Sequence, residues 1–406
     1  MKAIFQAVAA VLVLAGSATA SPSANDLRRI AAMDAGLRPA RAPADVPTKT
    51  IAQRMTDLNV PGVSIAFIED GRVKWTRTYG VAVASERRAV TPETLFQAAS
   101  MSKAVAAAGA LRLVEEGRLD LDEDVNRRLK GWQVPASAFT MAEKVTLRRL
   151  LSHTAGLTVS GVPGYAMSKP IPTAVQILKG EPPSNTPAVV SFEPPGQGFA
   201  YSGGGYTVAQ LLMVEAGGEP YPALLKRLVL RPAGMRSSTF EQPLPARLVR
   251  NSASAHGVRG LVYPGTPNTY PEYAAASLWT TPSDYGRFMI ALQTAHAGGQ
   301  RRLLRQTSAR TMMTPILGGY GLGMALGRRE GRTTFEHGGG NLGFQCYAFA
   351  FLDGSRQGAV VMTNSDGGGI LVGEIIRALG NSYGWGEAAP PDGPFRRAPS
   401  GPTVAR

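Results

Sequence analysis

The sequence predicts an α+β protein, on two observations. Strand-like runs with turn residues gather toward the two ends of the 406-residue chain, and helical patterning with long loops fills the middle. A third observation bounds the size of the fold: 44% of the residues are hydrophobic, enough to bury a large core in one or two domains.

The elements follow in order. Lys2 precedes an apolar run from Ala3 to Ala15, and Ala18-Thr-Ala20 offers a small-residue cleavage site before Ser21, so residues 1–20 are expected to be a secretory signal peptide. The apolar run is too short to span a bilayer. Residues 21–47 are expected to hold an N-terminal helix and a linker, the latter rich in Pro, Ala and Arg. Gly62–Ile68 and Val73–Tyr79 read as a β-hairpin turning at Asp70-Gly71. Residues 95–275 are expected to be rich in helix, with long loops. Strands are expected again at Tyr320–Leu326 and Arg332–His337, then a hairpin around Asp353-Gly354 and a helix near Leu371–Leu379. Residues 386–406, rich in Pro, Ala and Arg, read as a flexible tail.

The chemistry begins at Ser100-Met-Ser-Lys103, which opens an apolar, Ala-rich run ending at Gly117. The run predicts a buried helix starting at Ser100, with Lys103 one turn on and within reach of the Ser100 hydroxyl. Burial favours a neutral amine, which makes Lys103 a candidate base and Ser100 a candidate nucleophile. Two more segments carry candidate groups. Tyr201, in Phe-Ala-Tyr-Ser-Gly203-Gly-Gly-Tyr206, stands on a loop before the apolar pattern Thr207–Val214. His337-Gly-Gly339-Gly340 lies between strand-like stretches, where successive glycines permit close backbone approach.

This order of motifs resembles the serine β-lactamase and penicillin-binding superfamily, in its class C and D-peptidase branch. Leu150-Leu-Ser-His153-Thr-Ala-Gly-Leu157, Leu230-Arg-Pro-Ala-Gly-Met235, Ala276–Asp284 and Gly319–Met324 extend the likeness across roughly residues 50–380. The resemblance implies a β-lactamase/transpeptidase-like fold. In it, residues 48–94 and 276–385 build one antiparallel sheet flanked by helices, with the helical part inserted and the site between them. It also implies Ser100 as acylated nucleophile, Lys103 and Tyr201 as proton carriers, and the N–H groups of Gly340 and Ser100 as an oxyanion hole beside Gly339. No cofactor or metal is implied.

Two departures bear on the substrate. Gly203 stands where β-lactamases carry an asparagine that contacts lysine and acylamide, and His337-Gly-Gly replaces Lys-Thr-Gly. Both resemble family VIII carboxylesterases, and the histidine also resembles D-aminopeptidases and D-Ala-D-Ala carboxypeptidases. A serine hydrolase of small esters, amides or short peptides, D-residue peptides among them, is expected; a weak β-lactamase, a D-Ala-D-Ala carboxypeptidase or a non-hydrolytic envelope-binding scaffold are the alternatives.

The formal charge is +14, but the basic residues are scattered in pairs such as Arg87-Arg88 and Arg127-Arg128, without aromatic interleaving, so nucleic-acid binding is not expected. The acidic run Asp120–Asp124 reads as a surface turn, and His153 as a turn-holding residue. Cys346, the one cysteine, cannot form an intrachain disulfide. A periplasmic or secreted location is expected; the oligomeric state is not readable.

Overall fold

The computed structural model describes residues 23–386 except 41, 44, 265, 266, 301 and 302. The expected signal peptide and all of the tail but Gly386 lie outside the described residues. Helix α1 (Ala24–Ala35) opens at Ser23, whose hydroxyl accepts from the Asp26 N–H while the Asp26 carboxylate accepts from the Ser23 N–H. Thr50 and Gln53 cap α2 (Ile51–Leu58) in the same reciprocal way, satisfying donors that a helix start leaves free.

The first hairpin forms as predicted. Strands β1 (Gly62–Glu69) and β2 (Arg72–Val83) are joined by Asp70 at φ 53° and Gly71 at φ 71°, the two left-handed residues a tight hairpin turn needs. After β3 (Arg88–Ala89) and β4 (Phe96–Gln97) comes α3 (Ser102–Glu115). The middle of the chain carries α4 (Gly203–Gly217), several shorter helices and α5 (Tyr273–Ala276). Next come β5 (Trp279–Thr280), which pairs with β4, and α6 (Pro282–His296). The chain closes with β6 (Ala325–Arg329), β7 (Arg332–Asn341), β8 (Phe344–Phe351), β9 (Gly358–Thr363) and α7 (Gly368–Tyr383).

Seven strands form one sheet in the order β3-β2-β1-β9-β8-β7-β6, every pair antiparallel. The pairing of β1 with β9 joins the two ends of the chain. Both faces of the central strands β1, β8 and β9 are covered, which explains why these three read as nearly continuous apolar runs. Val63, Ile65 and Phe67 face a core shared with α1, α2 and α7. Ala66 and Ile68 turn the other way, into the larger core that holds α3, α4 and α6.

Three expectations need correction. The α-helix starts at Ser102, and Ser100 sits in a 3₁₀ turn, Ala99–Met101, ahead of it. Ala99 there has φ 49°, so the backbone turns too sharply for helix to begin at Ser100. Strand β6 starts only at Ala325, because Gly318, Gly319 and Gly323 all take left-handed conformations and bend the preceding segment. Strand β7 runs four residues past His337, since its glycines keep their ladder with β8 as far as Asn341.

Candidate active site

The site lies where β7 meets the turn between β4 and α3. A Cβ on Gly339 would stand 2.3 Å from the Ala98 carbonyl oxygen and 2.6 Å from Cys346 Sγ, so only glycine lets the strand come this close to Ser100. Asn341 pins the end of β7 in place, its Nδ2 donating to Gln97 Oε1 at 2.7 Å and to the Ala276 carbonyl at 3.1 Å. The Tyr270 hydroxyl accepts from the Leu342 N–H at 3.2 Å.

Lys103, in the first turn of α3, is 2% exposed. Its Nζ lies 3.2 Å from Ser100 Oγ and donates to the Ala275 carbonyl at 2.8 Å. The rings of Tyr201 and Tyr206 lie 4.9 and 5.5 Å from the nitrogen. Burial disfavours the charged form and lowers its pKa to about 7, well below the usual range of a lysine. The helix thus delivers a partly neutral amine to a serine hydroxyl at near-neutral pH.

Tyr201 is held by a residue whose part in the site the sequence did not disclose. His153, at φ 58° and 1% exposed, accepts the Ser202 N–H on Nδ1 at 3.0 Å and packs against Tyr201 with ring centres 4.1 Å apart and the planes tilted by 33°. Burial, then the nearby Lys103 and His337, keep its imidazole neutral. From the sequence its side chain is expected to hold a local turn; instead its hydrogen bond reaches Ser202, 49 residues on, in the segment that carries Tyr201. Ser202 caps α4 through its Oγ, which accepts from the Gly205 N–H at 2.8 Å.

His337 is also buried and neutral. Its pKa is lowered to about 3, first by burial and then by Lys103, and Nδ1 lies 2.5 Å from the Gly338 carbonyl. Gly203 is the first residue of α4 and donates to the Ser160 carbonyl at 3.0 Å. A Cβ there would lie 3.1 Å from that oxygen, so the loop before α4 crowds the place an asparagine side chain would need.

All seven candidate residues, Ser100, Lys103, Tyr201, Gly203, His337, Gly339 and Gly340, line one cleft of about 960 Å³. Ser160–Pro163 form one wall, and the glycines of β7 form another. Beyond β7 the cleft reaches Gln345, Asp366, Gly369 and Val372, none of which the sequence pointed to. Among the described residues, Lys103 is the one lysine or arginine on its surface. No cluster of potential metal ligands occurs among the described residues. The acidic run folds as a turn around Asp120, whose carboxylate accepts the N–H groups of Asp122 and Glu123.

A seven-stranded antiparallel sheet, a half-buried serine beside a buried lysine at the start of a helix, and a glycine-rich strand next to them are the frame of a serine hydrolase. Residues 48–378 match the family model described as Beta-lactamase. The chain belongs to the β-lactamase family, and the expected fold is the one observed.

A curated relative, Protein flp of Staphylococcus aureus strain N315, is 27% identical over 242 residues, 58% of this chain and 45% of that protein. The chain thus matches less than half the length of that relative. A D-amino acid amidase structure from Ochrobactrum anthropi SV3, complexed with L-phenylalanine, aligns with TM-score 0.64 and 24% identity, covering 82% of this chain and 97% of that one. EstCE1, described as a hydrolase with promiscuous acyltransferase activity, aligns with TM-score 0.64 and 21% identity over 81% and 96%. These two structural likenesses speak to the fold alone.

Proposed function

We propose that this serine hydrolase cleaves small esters and amides through an acyl-enzyme on Ser100. The observation that carries the reading is the Lys103 amine, buried, near-neutral and 3.2 Å from Ser100 Oγ. Ser100 Oγ attacks the carbonyl carbon as its proton moves to Lys103 Nζ. The N–H groups of Ser100 and Gly340 receive the oxyanion. As the tetrahedral intermediate collapses, Lys103 and Tyr201 return the proton to the departing oxygen or nitrogen. Water then attacks the acyl-enzyme, releases the acid and restores the serine.

An ester or amide substrate is in keeping with the D-amino acid amidase and the hydrolase with promiscuous acyltransferase activity among proteins of the same fold. A β-lactam or a D-Ala-D-Ala peptide brings a carboxylate, and among the described residues the cleft offers it no arginine or lysine besides Lys103. His337 is neutral at ordinary pH and supplies no cation in place of the lysine of other family members. An envelope or extracellular location fits the leader-like start of the sequence.

The test is a comparison of kcat/KM for p-nitrophenyl butyrate and a chromogenic cephalosporin, together with mass spectrometry of the trapped enzyme. The ester is expected to be the better substrate by about tenfold or more, with an acyl adduct on Ser100 and loss of both activities in Ser100→Ala. Cephalosporin turnover exceeding ester turnover rejects the substrate assignment. Ester turnover surviving in Ser100→Ala rejects the mechanism.

A further inference from the structure

The far wall of the cleft carries an anion that the hydrolytic mechanism does not use. Asp366 stands between β9 and α7 and lines the same cleft as Ser100. Its Oδ1 accepts from the Gly343 N–H at 2.6 Å, and its Oδ2 accepts from the Tyr263 hydroxyl at 2.6 Å. Both donors are neutral, so they fix the carboxylate in place without cancelling its charge. Glu336, the other carboxylate on the lining, differs in this respect, because Arg329 pairs with it at 3.0 Å.

Asp366 itself is half-buried on the cleft lining. Gln345, Gly369 and Val372 beside it in the lining are uncharged. A Cβ on Gly369 would meet nothing nearer than Gln345 Oε1 at 3.8 Å, so the wall is open there. At the other end, burial shifts both Lys103 and His337 toward their neutral forms. The chain as a whole carries +14, so the sign inside the cleft runs against the sign of the molecule. A fixed charge in a partly desolvated cleft acts more strongly on a bound charge than the same pair would in water.

We propose that Asp366 selects substrates by charge, so that the esters or amides this enzyme handles best carry an ammonium group and those carrying a carboxylate are turned away. This rests on the hydrolase reading above. Asp366 is a specificity-determining residue here and takes no part in bond making.

The experiment uses the purified full chain and two sets of substrates, one charged on each side of the scissile bond, the cation and neutral ester of the first set matched in shape. In the first, butyrylcholine is compared with its neutral isostere 3,3-dimethylbutyl butyrate and with the anionic butyrate ester of 4-hydroxybutanoate. In the second, glycine 4-nitroanilide is compared with its N-acetyl and N-succinyl forms. In at least one set kcat/KM is expected to fall in the order cation, neutral, anion, with about tenfold or more between the extremes.

Asp366→Asn should compress that spread to about threefold or less. Gly369→Lys, which places a cation in the open wall, should move the order toward the anion. Every reading is a ratio within one variant, so a general loss of turnover does not mimic the effect. A flat or anion-favouring order in both sets for the unmodified enzyme overturns the proposal, as does a cation preference that persists in Asp366→Asn. No Ser100-dependent turnover on any substrate would instead overturn the hydrolase reading itself.

Discussion

The residue that sets the working range of the site is Lys103. Its pKa lies near 7 because burial removes the water that would stabilise the ammonium. Below that value the nitrogen carries its proton and cannot take one from Ser100; above it the free amine can. The rate of acylation by p-nitrophenyl butyrate should therefore rise with pH through a midpoint near 7. His337 contributes no step of its own above about pH 3, where it is already neutral. Stopped-flow release of nitrophenolate between pH 5 and 9 checks this, and a rate flat across pH 7 would assign the base to another group. The serine and lysine were legible in the sequence because their contact is local, one helical turn apart. His153 was legible only as a turn residue, because its contact with Tyr201 joins segments 48 residues apart, and nothing in either segment's pattern announces the other.

At the scale of elements, α5 is the piece on which the site leans. This four-residue helix presents the Ala275 carbonyl to Lys103 and the Ala276 carbonyl to Asn341. It starts from Glu272, whose main-chain oxygen accepts the N–H groups of Ala275 and Ala276, while both of its carboxylate oxygens are buried without a hydrogen-bond partner. Burial raises the Glu272 pKa from 4.5 to about 7.

The folded state therefore holds a proton that the unfolded chain releases between those values. The stabilisation is fully present below pH 4.5 and is lost as pH rises through about 7, a change of about 3 kcal/mol. Glu272→Gln, which has no proton to lose, should be less sensitive to alkali than the parent protein by that amount. Urea unfolding at pH 4.5 and pH 8 measures it; equal pH dependence in the two proteins would show that the carboxyl is ionised in the fold. The sequence identified the strands and long helices of this neighbourhood by their patterning, but α5 is too short to have a period. Its place comes from the Gln210 side chain, which accepts from the Ala274 N–H at 3.1 Å and donates to the Pro271 carbonyl at 3.0 Å.

For the whole molecule, the sheet joins segments from near the two ends of the described chain. Strand β1 lies against β9, and α1 and α2 pack on α7 across the same face. Arg54 of α2 clasps Glu374 of α7 through two hydrogen bonds of 2.7 and 2.6 Å, a buried bidentate ion pair. The amino-terminal helix is thus a working part of the sheet's cover. Cleavage of the expected leader after Ala20 leaves Ser23, the cap of α1, in the mature chain. Protein recovered from the envelope fraction or medium should begin at or near Ser21, read by intact mass and N-terminal sequencing. Recovery with Met1 in place would remove the export assignment.

Sequence alone determined the local features: the Asp70-Gly71 hairpin, the Ser100–Lys103 spacing, the apolar strands and the glycines that let β7 approach another backbone. Each depends on the near neighbours of a residue, through backbone freedom or helical periodicity, and so survives being read as a string. The tertiary structure decided the rest. It set where α3 begins, because the left-handed Ala99 turns the chain at Ser100 as β7 presses against Ala98. It also decided that His153 supports Tyr201 and that Asp366 lines the cleft, held by the Gly343 N–H and the Tyr263 hydroxyl. Those properties come from packing and desolvation between segments far apart in the chain, and no pattern within one segment encodes them.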